Sequence, residues 1–188
     1  MEKYGPGPHF IEVDVLTGPN ARVPGRFVVE LASINFMPCS VLSFMNMVEQ
    51  KLWDNTVFYH HSSQHHVIAA APVTFGTFDS KSHHFAALGH RGITYPEYSA
   101  RFSHSKYTLG FSDTGPNFYI NTIDNSKHHG PGGQGHHELP GDADPCFGKV
   151  VSGHEVIEKM MPIHNTSLDP KAWADFDLTR IVRIRVRS

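Results

Sequence analysis

The sequence predicts a mainly β chain, a closed antiparallel barrel capped by two α-helices. Three observations carry this. Short stretches alternate apolar and polar residues from end to end, beginning with Ile11, Val13 and Val15 against Glu12 and Asp14. Turn signals such as Thr17-Gly18-Pro19 separate them. Two segments carry apolar residues at helical rather than strand spacing, and a closed sheet with helices over its ends leaves no exposed strand edge.

Phe27, Val29 and Leu31 repeat the period of two after the first turn, so the chain opens on a hairpin. Pro38 suits a first helical turn, where no amide donor is needed. Val41, Phe44, Met45, Val48 and Leu52 follow at spacings of three and four, the apolar face of an amphipathic helix over residues 38–51. Strands are expected at 56–60, 67–71, 107–111, 118–121 and 147–150. Ser152-Gly153-His154-Glu155 reads as a capping box opening a second helix over 153–161. The last strand alternates Val182, Ile184 and Val186 with Arg183, Arg185 and Arg187, one apolar face and one basic, solvated face. Residues 74–106 read as an irregular surface section. Residues 125–144 read as a long His- and Gly-rich surface loop. No repeat or linker divides the chain, and one domain over 1–188 is expected.

Composition excludes several function classes. The 188 residues include 39% hydrophobic and 18% charged residues with a net charge of −2, which leaves no electrostatic footprint for nucleic acid. No apolar run is long enough to span a bilayer, and the first ten residues lack the apolar core of a secretory leader. Cys39 and Cys146 have no metal-ligand or redox spacing and read as free thiols.

Residues 110–122 (GFSDTGPNFYINT) and 146–153 (CFGKVVSG) carry a resemblance. Cyclophilins, the barrel-shaped peptidyl-prolyl cis/trans isomerases, run L-S-M-A-x-x-G-P, then S-Q-F-F-I-x-T, then V-F-G-K-V-x-x-G through this stretch. Here Leu109 to Ser112, Gly115-Pro116, Asn117 to Ile120 with Thr122, and Phe147 to Gly153 stand in the same order. The chain is identified as a divergent member of that family. The resemblance implies eight strands, a helix over each barrel end, and a groove that binds proline-containing peptide or protein segments. It implies no cofactor, and we expect a monomer without nucleic-acid partner or membrane segment.

In the family a groove arginine hydrogen-bonds the prolyl region and favours the twisted amide, so neither nucleophile nor metal is needed. Against the family motif F-H-R-x-I-x-x-F-M-x-Q-G-G-D, this chain reads Phe58 through Ala71. Phe58 keeps its place, His60 stands for the arginine, His65 and His66 for the pocket Phe and Met, and Ile68 for the Gln. Ser112 and Asp113 take the substrate-pinning pair, Asn117 the second Gln, Tyr119 the pocket phenylalanine, Leu139 the tryptophan and Asp144 the groove histidine. His60 and Tyr119 are therefore the catalytic candidates; Phe58, His65, His66, Ile68, Ser112, Asp113, Asn117, Leu139 and Asp144 are the substrate-binding ones. A neutral imidazole offers one donor where a guanidinium offers five, so catalysis is expected to be weak or lost. The alternatives are a non-catalytic interaction scaffold, or a metal-binding protein on the same barrel. The second rests on 15 histidines, including the doublets His60-His61, His65-His66, His128-His129 and His136-His137. No carboxylate or thiolate is tied to them in sequence, and the expectation is no metal site.

Overall fold

A computed structural model describes residues 4–5, 7–60, 66–94, 96–134, 141–161 and 178–187. Eight strands close a barrel: β1 (Phe10–Thr17), β2 (Val23–Leu31), β3 (Thr56–His60), β4 (Val67–Ala71), β5 (Thr108–Phe111), β6 (Phe118–Asn121), β7 (Cys146–Ser152) and β8 (Thr179–Val186). Their order around it is β1-β2-β7-β5-β6-β4-β3-β8, and the neighbouring pairs are antiparallel. The opening hairpin pairs Phe10 with Glu30 through Thr17 with Val23. Among the described residues three α-helices accompany the sheet: α1 (Pro38–Glu49), α2 (Ser82–Ala87) and α3 (His154–Met160). Among the described residues no helix is long and apolar enough to cross a membrane.

Strand alternation fills the barrel. Ile11, Val13 and Val15 from β1 meet Phe27 and Val29 from β2, Phe58 from β3, Ile68 and Ala70 from β4, and Phe118 and Ile120 from β6. Val41, Phe44, Met45 and Val48 of α1 are buried against them, as their spacing requires. Phe118 lies at the hub, with ring centroids 5.2 Å from Phe44, 4.8 Å from Trp53 and 5.7 Å from Phe58, all edge-on. Such edge-to-face pairs add to the stabilisation from burial alone. Val156, Ile157 and Met160 bring α3 onto the same core.

Three local expectations change. Ser152 makes no capping box: Gly153 is the N-cap of α3, with φ 83° and no side-chain cap bond. A Cβ there would meet the Arg26 carbonyl at 2.3 Å, so only glycine fits. The irregular section contains α2, which the buried Phe85 anchors on Trp53 at 5.0 Å. The arginine face of β8 is paired rather than merely solvated. Arg183 Nε reaches Asp14 Oδ2 at 2.7 Å, and Arg185 reaches Glu12 at 2.5 Å and Asp14 at 3.1 Å, across the β1–β8 seam.

The N-terminus of α1 is capped from far away. Glu97 Oε1 accepts from the Cys39 amide at 2.8 Å, and Oε2 from the amide and hydroxyl of Ser40 at 2.7 Å each. These satisfy amides that a helix start leaves without partners, beside the positive end of its dipole.

Phe118→Ala is expected to lower unfolding free energy by about 3–5 kcal/mol, as for other large core truncations. Glu97→Gln, which keeps the shape but loses the charge, should cost about 1 kcal/mol, as a weakened cap does. Urea denaturation followed by circular dichroism reads both.

Candidate functional site

On the outside of β3, β4 and β6 lies a second apolar cluster: Val57, Tyr59, Val67, Ala69, Ala71 and Tyr119. These are the residues between the core positions, and β pairing aligns Tyr59 with Ala69 and Ala69 with Tyr119. A cavity of about 330 Å³ opens over this wall. Tyr59, Val67, Ala69, Phe118 and Tyr119 give its apolar side; His66, Ser112, Asn117, His128, His129, Gln134 and Asp144 give its polar side. An adjoining cavity of about 470 Å³ shares Tyr59 and Asn117 with it and carries Arg91.

Four residues of the polar side, His128, His129, Gln134 and Asp144, come from the loop between β6 and β7, which composition marks as a surface loop but which turns several side chains inward. Asn125 and His129 are buried at 4% and 6% exposure, and Asp144 at 2%. Asn125 pins the loop to the barrel, donating through Nδ2 to the His66 carbonyl at 2.8 Å and to Asn121 Oδ1 at 2.7 Å.

Asp144 is the acceptor at the centre. Its Oδ2 lies 2.9 Å from the Tyr119 hydroxyl, 2.7 Å from His129 Nδ1 and 3.0 Å from Gln134 Nε2. Nδ1 also lies 2.5 Å from Gln134 Nε2. A ring N–H bonds more strongly to a carboxylate than to an amide nitrogen, which is itself a donor. Nδ1 of His129 therefore carries the proton, and both it and Gln134 donate to Asp144. Burial, reinforced by the Asp144 charge and hydrogen bond, holds the Tyr119 phenol well above its ordinary pKa, so it stays a protonated donor.

His104, fully buried, donates through Nε2 to the Asp144 carbonyl at 2.9 Å. Its Nδ1 faces Asn121 Nδ2 at 3.3 Å and the Tyr119 hydroxyl at 3.4 Å. Burial, with a smaller contribution from nearby His129, lowers its pKa from 6.5 to about 4 against the opposing pull of Asp144. It is a neutral, hydrogen-bonded core imidazole. Gly110 makes room for this stack: a Cβ there would meet the Tyr119 ring and hydroxyl at 2.8 Å and His104 Cε1 at 2.9 Å. Cys146 is also inert, its thiol pushed up to about 12 by burial.

Of the residues singled out from sequence, His66, Ser112, Asn117, Tyr119 and Asp144 line the cavity together. Asp113, exposed in the turn after β5 with φ 55°, is not among the described lining residues. Phe58 and Ile68 need correction. Both lie inside the barrel at 1% exposure, and their strand neighbours Tyr59, Val67 and Ala69 form the wall instead. A shift of one residue along a strand reverses which face a side chain takes. His60 ends β3 opposite Ile68, its side chain lying outside the described residues, as do His65 and Leu139 altogether. Sequence reasoning missed Tyr59, His104, His129 and Gln134 as members of the cavity network. Strict alternation from Phe58 would have found Tyr59; the others meet only through the fold.

Residues 13–186 match the family profile described as cyclophilin type peptidyl-prolyl cis-trans isomerase/CLD. The chain belongs to this family. Among solved structures, a cyclophilin type peptidyl-prolyl cis-trans isomerase of Cryptosporidium parvum, determined in the presence of the dipeptide Ala-Pro, is 16% identical with a TM-score of 0.61. The match covers 95% of this chain and 99% of that one. A second structure of that parasite isomerase gives 17% identity and a TM-score of 0.60, over 95% and 98%. At such identities these neighbours speak for the cyclophilin fold alone. No curated protein sequence matches the chain.

The neutral state of His104 sets a pH dependence. Between pH 6.5 and about 4 the unfolded chain takes up a proton at this position and the folded chain does not. Stability from this group is complete above pH 6.5 and falls as the pH drops to about 4, by about 3 kcal/mol in all. Urea titrations across that range should show the loss, and His104→Gln should flatten the slope.

Proposed function

We propose that this cyclophilin binds proline-containing or extended peptide segments in the groove over β3, β4 and β6, and that its isomerase catalysis is weak or lost. One observation carries the reading. The cavity keeps an apolar wall of Tyr59, Val67, Ala69 and Tyr119, but no guanidinium stands among its described lining side chains. Three donors of the cavity are committed to one acceptor: Tyr119, His129 and Gln134 all address Asp144. A donor already bonded to a buried carboxylate is not available to a twisting amide, and positioned donors supply the barrier reduction in such chemistry. Tyr119 thus lines the wall by its ring, while its hydroxyl serves Asp144. His60 in the arginine's sequence position, with at most two ring nitrogens, supports the same conclusion.

The test is a protease-coupled prolyl-peptide assay run beside an active cyclophilin, together with NMR titration by Ala-Pro peptides. The expected kcat/KM is lower by about 100-fold or more, the scale of losing one transition-state donor. Shifts on titration should cluster at Tyr59, Asn117 and Tyr119. Turnover equal to that of the active relative would overturn the loss of catalysis. Shifts confined to another face would overturn the groove assignment.

A further inference from the structure

Three histidines in the same cavity form an arrangement that peptide binding does not require. His66, His128 and His129 each place one ring nitrogen within 4.8 Å of the other two. They come from separate stretches: His66 immediately precedes β4, and the other two lie in the loop folded over the wall. Their ring centroids stand 5.3 Å (His66–His128), 5.6 Å (His66–His129) and 4.9 Å (His128–His129) apart.

His129 gives the second, independent observation. It is 6% exposed, and its Nε2 is buried without a hydrogen-bond partner among the described residues. Leaving a buried polar nitrogen unsatisfied costs about 1–3 kcal/mol. Its other nitrogen, Nδ1, bears the proton and points it at Asp144 Oδ2, 2.7 Å away. That tautomer leaves a lone pair on Nε2, and the carboxylate behind the ring fixes its orientation. Metal-bound histidines are held in this way by an outer carboxylate.

We propose that His66, His128 and His129 form a three-imidazole site for a divalent transition-metal ion of the zinc class, with Asp144 orienting His129. Three nitrogen donors without a thiolate or a coordinating carboxylate disfavour calcium and magnesium and suit zinc, copper(II) or nickel. A tetrahedral ion with bonds near 2.0–2.1 Å needs its nitrogens about 3.3 Å apart, so the rings must draw in by about 1.5 Å at most. His128 is exposed and can swing inward without disturbing the core, while His129 stays fixed by its carboxylate. Three protein ligands leave a fourth position for water, the pattern of an open rather than a closed zinc site. The proposal departs from the expectation of no metal because the carboxylate missing beside the histidines in sequence is supplied by the fold. The inference stands independently of the peptide-binding reading.

The test is calorimetric titration of the chelator-treated full chain with zinc sulfate at neutral pH, and visible spectroscopy with cobalt(II) in its place. The tightest class of sites should take one equivalent of zinc, and cobalt should give the intense bands of a four-coordinate centre. Asp144→Asn should weaken zinc by about 10–100-fold, and His66→Ala or His128→Ala by more. His83→Ala/His84→Ala, an exposed doublet on α2, should bind like the wild type. Because His128 is exposed, its variant should keep the metal-free melting temperature, separating loss of a ligand from loss of fold. No saturable zinc binding by the wild type, or unchanged affinity in the His66→Ala/His128→Ala double variant, would overturn the site. Unchanged affinity in Asp144→Asn would overturn the orienting role.

Discussion

Closure of the barrel is the constraint from which the other features follow. β8 pairs with both β1 and β3, so every strand has one face toward the interior and one away from it. The interior is packed by large rings around Phe118, which leaves no freedom to slip a strand by one residue. With Phe118 inside, Tyr119 must lie outside. With Phe58 and Ile68 inside, Tyr59, Val67 and Ala69 must form the outer wall. The groove is in this sense the reverse side of the core.

That wall is apolar, and the loop after β6 covers part of it. Covering it brings polar side chains out of water, where each needs a partner. Asp144 answers most of the demand through one oxygen that gathers Tyr119, His129 and Gln134, and through its carbonyl, which takes His104. A buried carboxylate is tolerable only when surrounded by donors in this way. The same bonds fix the orientation of the Tyr119 ring and the tautomer of His129. One network thus shapes the apolar floor of the groove and fixes the ring of His129, which lies beside the other two histidines.

Distant contacts also complete features whose local signals are incomplete. Pro38 marks the start of α1, but the carboxylate that caps it belongs to Glu97, 58 residues away along the chain from Cys39. Gly153 rather than Ser152 caps α3, because the backbone turns there with positive φ against the Arg26 carbonyl. The arginines of β8, read alone, look like a solvated face; in the sheet they face Glu12 and Asp14 of β1. Each difference has the same origin, a partner supplied by another part of the chain.

The fold was legible because its determinants are local and periodic. Alternation in β1, β2 and β8, and the three-four spacing from Val41 to Val48, are properties of neighbouring residues, and the phrases around Gly115-Pro116 and Phe147-Gly148 are contiguous. They determined the strands, the two capping helices and the family. The site was legible only in part. His66, Ser112, Asn117, Tyr119 and Asp144 could be placed by position, but the inward turn of Phe58 and Ile68 depended on strand register. The meeting of His66 with His128 and His129, and of Asp144 with Tyr119, was decided by tertiary structure alone. Hydrophobic periodicity says which face of a strand is buried. Which distant polar groups must satisfy one another is settled only when a loop closes over that face and excludes water.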